Sequence, residues 1–225
     1  VQITGCSALT SISCTGNTVL PSLNASGFLN LTTLYCYSNP ALTSLTVTGD
    51  TALTTLNCNN NALTSLNVTG LTNLQTLNCN NNALTSLDVS TLTNLVTLAC
   101  HYNQLTALDV IGKAYLTSLN CSYNLITDLN FSNCTALLSA PSYGFNPISI
   151  LNASGCTAFT SFQSASYYGG NISTTLTNLN LTNCTGLTSI DIYGNTLLNT
   201  VQITGCSALT SISCTGNTVL PSLNA

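Results

Sequence analysis

Residues Leu53 to Tyr115 read LTTLNCNNNALTSLNVTGLTN, LQTLNCNNNALTSLDVSTLTN and LVTLACHYNQLTALDVIGKAY, three units of 21 residues on one skeleton. Counting each first leucine as position 1, apolar residues fall at 1, 4, 6, 11, 14 and 16, with an asparagine at 9. In the middle unit these are Leu74, Leu77, Cys79, Leu84, Leu87, Val89 and Asn82. A unit this short cannot bury its own apolar edge, so identical units must stack into a solenoid.

Units begin at Leu9, Leu31, Leu53, Leu74, Leu95, Leu116, Leu137, Phe159, Leu187 and Leu209, at intervals of 22, 22, 21, 21, 21, 21, 22, 28 and 22. A longer period overlies the short one, because residues 201–225 repeat residues 1–25 without change. The expectation is one continuous solenoid over 1–225, with nine coils per 200-residue module and 201–225 opening the next module of a tandem array. Strands about 4.8 Å apart would advance such a module by about 43 Å.

Within a coil, Thr76 to Cys79 and its equivalents read as a short strand of a parallel sheet. The second half, as in LTSLDVSTLTN, is rich in β-branched residues and too short for a stable helix, so it reads as a second extended edge. The expected fold class is a β-rich solenoid with little or no helix. An asparagine column runs through Asn17, Asn39, Asn61, Asn82, Asn103, Asn124, Asn195 and Asn217. Its amides are expected to pair backbone groups at the turn, since unpaired buried polar groups are costly.

The cysteines form two columns. Cys14, Cys36, Cys58, Cys79, Cys100, Cys121 and Cys214 take position 6, while Cys6, Cys134, Cys156, Cys184 and Cys206 precede the next unit by three residues, where Phe28, Leu71 and Leu92 stand elsewhere. Both columns read as ladders of buried thiols packing as small apolar residues. Stacked neighbours are spaced and directed poorly for disulfides. No knuckle brings metal ligands together from different directions, and no cofactor is expected. The pattern loosens over 137–175. There Pro141 and Pro147 appear, Ser142 stands where cysteine was, and an insertion around Gln163 to Asn171 carries Tyr167 and Tyr168.

Lys113 is the only basic side chain besides a single histidine, against five aspartates and no glutamate. That excludes phosphate-neutralising nucleic-acid binding and attraction to anionic lipid. No apolar run approaches the roughly 18 residues of a membrane span. His101 has no nucleophile elbow to accompany it. Asp88 and Asp109 stand at equivalent positions of adjacent coils, beside Asn67 and Asn130, and read as an exposed polar column.

The unit LxxLxCxxNxLxxLxV resembles the cysteine-ladder leucine-rich repeats of bacterial surface proteins, such as some internalins of Listeria and many secreted Bacteroidota proteins. The resemblance implies a secreted or cell-surface, non-catalytic protein serving in adhesion or binding. With an almost uncharged surface and an unchanged long repeat, the chain looks like a slice of a giant tandem-repeat adhesin or extracellular filament. Its first expected partner is therefore further copies of itself, in one polypeptide or stacked end to end, with lateral bundling as an extension. A binding module for glycans or a cell-surface protein is the alternative, using His101, Tyr102, Tyr123, Tyr143, Tyr167 and Tyr168. A third reading is ice binding through the column Thr64, Thr85 and Thr106.

Overall fold

The computed structural model describes residue 3, residues 6–164, residues 175–221 and residue 223. It divides into two compact units, Val1–Leu105 and Thr106–Ala225.

In the first unit the position-4 side chains define one sheet. Strands β1 (Ser11–Ser13), β3 (Thr33–Tyr35), β5 (Thr55–Asn57), β6 (Thr76–Asn78) and β7 (Thr97–Ala99) pair in that order, all parallel. Register follows the repeat, with Leu34 opposite Leu56 and Leu56 opposite Leu77. The second edge is extended as well, where β2 (Ser22–Asn24) pairs with β4 (Ser44–Thr46).

The second unit holds β8 (Leu108–Asp109), β9 (Ser118–Asn120), β10 (Asp128–Asn130), β11 (Ile150–Asn152), β12 (Ser161–Gln163), β13 (Asn178–Asn180), β14 (Ser189–Asp191), β15 (Thr200–Gln202) and β16 (Ser211–Ser213). Strands β15-β13-β11-β10-β8 form one parallel sheet and β12-β14-β16 another. No helix occurs among the described residues. Every three-residue strand except β16 buries its central side chain and leaves its two neighbours exposed or half-buried, as the alternation of the pleat requires.

Among the described residues, the coils turn at a fixed corner where the backbone is left-handed. In the first unit that corner is Gly16, Ser38, Asn60, Asn81 and Tyr102, and in the second it is Tyr123, Phe145, Gly194 and Gly216. Next to the corner stands the asparagine ladder. Asn82 Nδ2 donates to the carbonyls of Cys58 and Cys79, both at 3.0 Å, and its Oδ1 accepts from Leu63 N–H at 3.0 Å. Asn39, Asn61 and Asn103 bridge two successive coils in the same way. One amide thereby satisfies carbonyls of two coils, at the point where the turn takes them out of the sheet.

Hydroxyls repeat the device on the strand side. Thr54 Oγ1 donates to Thr32 O at 3.0 Å, and Thr32 Oγ1 to Thr10 O at 3.1 Å. The chain's richness in threonine therefore holds coils together as well as keeping the surface polar.

Coil 137–158 departs from the expected alignment. Ser139 bridges Ser161 and Ser142 bridges Asn120, so one extra residue lies inside the strand half rather than in the turn. The shift moves Ser142 out of the cysteine position and seats Tyr143 there, 1% exposed. Asn146, absent from the expected ladder, takes the asparagine role and donates to Tyr143 O at 2.8 Å and Cys121 O at 2.9 Å. In coil 159–186 the cysteine position belongs to the buried Ser164, whose Oγ accepts from Asn195 Nδ2 at 2.9 Å. The insertion, with Tyr167 and Tyr168, lies outside the described residues.

Candidate functional site

A left-handed backbone costs a residue with a Cβ about 1–2 kcal/mol, which is why glycine and asparagine dominate such corners. Tyr102 (φ 52°), Tyr123 (φ 53°) and Phe145 (φ 58°) are bulky exceptions at the same corner. Tyr123 and Phe145 come from successive coils and stack face to face, ring centroids 4.2 Å apart and 13° from parallel. Both rings stay in reach of solvent, at 37% and 50% exposure. Tyr102, in the first unit, packs edge-on against His101 at 5.7 Å. The corner geometry thus presents flat aromatic surface with little rotamer freedom, a form suited to a sugar ring or an apolar protein surface.

The expected contact residues separate accordingly. His101 and Tyr102 meet on one unit, and Tyr123 is on the other. Tyr143 is no contact residue, because it fills the core where a cysteine stands in neighbouring coils, and burial pushes its phenol pKa upward. Phe145 belongs to the exposed column instead. Its place becomes readable only once the extra residue of its coil is located ahead of it.

His101 is half-buried and its Nδ1 is enclosed without a hydrogen-bond partner. Burial lowers its pKa, so the ring is neutral at physiological pH. None of the twelve cysteines is in a disulfide. Burial pushes Cys79 and Cys121 up to about 12, and Cys134 and Cys184 to about 11. A thiol held protonated is a poor nucleophile and a poor metal ligand. No cluster of three His, Cys, Asp or Glu that could hold a metal occurs among the described residues.

The two thiol columns differ in a way their spacing does not announce. The position-6 column is plain core, with Cys36, Cys58, Cys79, Cys100 and Cys121 fully enclosed. In the second column four thiols donate one coil back: Cys134 Sγ to Val110 O at 3.1 Å, Cys156 to Phe131 O at 3.2 Å, Cys184 to Ala153 O at 3.2 Å and Cys206 to Leu181 O at 3.1 Å. Asp50 and Lys113 occupy this same buried column.

Comparison with known proteins agrees with this geometry. Residues 51–91 and 72–113 match the family described as Leucine Rich repeats (2 copies). The functional domain of InlJ from Listeria monocytogenes, which includes a cysteine ladder, is similar at a TM-score of 0.50 and 29% identity over 95% of this chain. Residues 51–113 are leucine-rich repeats, and the buried cysteines of the coils form a ladder. The chain spans 57% of the length of that InlJ structure. The internalin InlF of Listeria monocytogenes is similar at a TM-score of 0.38 and 17% identity, over 91% of this chain and 86% of its own. No curated protein matches the chain.

Of the threonine column Thr64, Thr85 and Thr106, all three side chains are exposed.

Proposed function

We propose that this chain is a non-catalytic, structural length of a surface or extracellular leucine-rich-repeat protein, the repeating body of a fibre, stalk or adhesin. One observation carries the reading: residues 201–225 repeat residues 1–25 without change, and the repeat resumes in the phase of the coils. Folding needs only the pattern of apolar and asparagine positions, which tolerates exchange of leucine, valine, isoleucine and phenylalanine. Identity at exposed positions such as Val19 and Val219 is beyond what packing demands, and fits duplication of a whole module. Long-read sequencing of the gene tests it. Several 200-residue copies in tandem are expected, and a single copy between ordinary capping coils overturns the reading.

A second reading is a binding module, favoured by the strained aromatic corner. Backbone strain of this kind is retained where it serves a site. Under it, Tyr123 and Phe145 form a platform for a pyranose ring or a protein surface. A glycan array run with the chain and its Tyr123→Ala variant tests the carbohydrate form; binding that the variant leaves unchanged removes it.

A further inference from the structure

The second edge of the second unit carries a groove apart from the aromatic corner. Strands β11, β13 and β15 pair in parallel, with Ile150 opposite Asn178 and Asn178 opposite Thr200, and with Asn152 opposite Asn180 and Asn180 opposite Gln202. Their central residues Leu151, Leu179 and Val201 are buried, so the pleat turns both flanking columns outward. Ile150, Asn178 and Thr200 form one wall and Asn152, Asn180 and Gln202 the other, around a cavity of about 220 Å³. Side chains two residues apart on a strand stand roughly 7 Å apart. The groove is therefore narrow, and it runs across the strands, along the stacking direction.

One wall is biased in its hydrogen bonding. Asn152 Oδ1 accepts Ser154 N–H at 3.0 Å, and Asn180 Oδ1 accepts Thr182 N–H at 2.9 Å. Both amides thus have their acceptor engaged at the strand end, and among the described residues their Nδ2 groups donate to nothing in the chain. The same face of a second copy would set donors against donors, so the wall is not self-complementary. No residue of β11, β13 or β15 is charged. Aspartates stand to one side, with Asp128 opposite Ile150 and Asp109 opposite Asn130. Ile150, 43% exposed, adds an apolar surface beside the amides.

We propose that this groove binds a neutral polysaccharide laid along the stacking direction. Sugar hydroxyl and ether oxygens supply the acceptors that the Asn152 and Asn180 amides lack, and the C–H face of a ring rests on Ile150. The amides repeat at one strand spacing, about 4.8 Å, so successive donors meet successive sugars of an extended chain. An acidic polymer is disfavoured by Asp109 and Asp128 on the adjoining strands. An extended peptide brings N–H groups as well as carbonyls, and the wall has turned two of its acceptors inward. The site adds a ligand to a chain whose body is structural, and it does not depend on the platform of Tyr123 and Phe145.

A microarray of neutral and acidic polysaccharides, probed with the full chain and its variants, tests it. Asn180→Asp is the main variant. Aspartate already serves the same turn elsewhere in this column, where Asp88 and Asp109 Oδ1 accept Ser90 and Ile111 N–H at 2.8 and 3.0 Å. The variant therefore keeps the acceptor and loses only the Nδ2 donor. It is expected to weaken binding to neutral polysaccharides about tenfold, the worth of one lost hydrogen bond, with an unchanged circular dichroism spectrum. Ile150→Thr, which places there the residue found at Thr200 of the same column, is expected to weaken it less. Tyr123→Ala is expected to leave it unchanged. Binding to no neutral polysaccharide, a preference for acidic ones, or wild-type binding by Asn180→Asp overturns the groove. Loss in Tyr123→Ala alone also overturns it and assigns the binding to the aromatic corner, whereas loss in Asn180→Asp alone supports the groove and removes the corner.

Discussion

Asp50 Oδ1 accepts the backbone N–H of Phe28 at 2.7 Å, one coil back. In the second unit the same column holds Cys156 and Cys184, whose thiols donate one coil back to Phe131 O and Ala153 O, both at 3.2 Å. A carboxylate as acceptor and a thiol as donor thus tie the column to the coil before it by opposite roles. The carboxylate has a cost, because Asp50 Oδ2 is buried with no partner.

That orphaned oxygen makes stability depend on pH in an unusual direction. Burial pushes the Asp50 carboxyl up to about 6, against its hydrogen bond from Phe28 N–H, which pulls it down. The folded value lies above the unfolded one of about 3.9. The fold thus binds the proton more tightly, and this contribution is full below the unfolded value and lost as pH rises through about 6. Asp50→Asn keeps the Oδ1 acceptor without the charge. Its melting temperature, followed by circular dichroism, is expected to exceed wild type at pH 7.5 and to match it near pH 4. An equal difference at both pH values contradicts the assignment.

Asparagines of the ladder should differ in weight according to whether their amides join two coils or stay within one. Asn82→Ala removes four bonds and leaves Leu63 N–H without its acceptor, while Cys58 O and Cys79 O keep the amides of Asn61 and Asn103. The loss is expected to cost about 2–3 kcal/mol. Asn17 Nδ2 bonds only within its own coil, to Cys14 O and Thr15 O. Asn17→Ala is expected to cost less than about 1 kcal/mol, the range for an exposed pair. Urea denaturation of both variants gives the ratio.

Thiol labelling reads the columns directly. Cys6 is exposed and Cys14, Cys206 and Cys214 are half-buried, while the other cysteines are buried. Iodoacetamide at pH 8, followed by intact-mass analysis, is expected to add at most four groups to the native chain and twelve in denaturant. More than four in the native state would mean that the ladders open.

The two tyrosines of neighbouring coils should behave oppositely. Tyr143→Ala empties core volume and is expected to cost about 3–5 kcal/mol. Tyr123→Asn relieves a left-handed tyrosine, offsetting a lost ring stack of about 0.5–1.5 kcal/mol. It is expected to stay within about 1 kcal/mol of wild type by urea denaturation. A comparable loss at both positions would make Tyr123 structural.

The coil, its strands and both thiol columns were legible in sequence, because stacking fixes the residue type at positions such as Leu77, Cys79 and Asn82. What was hidden depended on where a single extra residue goes. Coils of 22 residues beginning at Leu9 and Leu137 have equal length. The first places its addition after Asn17, so Leu20 is core and Val19 is exposed, while the second places it before Pro141. Length alone does not distinguish these, and so Tyr143 read as a candidate contact and Asn146 was not among the expected ladder. Asp50 and Lys113 in a buried column were also unannounced, since a charged residue at an apolar position signals nothing until its hydrogen-bond partner is seen.

The bonds from coil to coil are amide to carbonyl, hydroxyl to carbonyl and thiol to carbonyl, nearly all between neutral groups. Dissolved ions screen charge and leave such bonds almost untouched. A scaffold joined in this manner keeps its strength from fresh water to brine, and its mechanical properties are set by geometry rather than by the salinity of its surroundings.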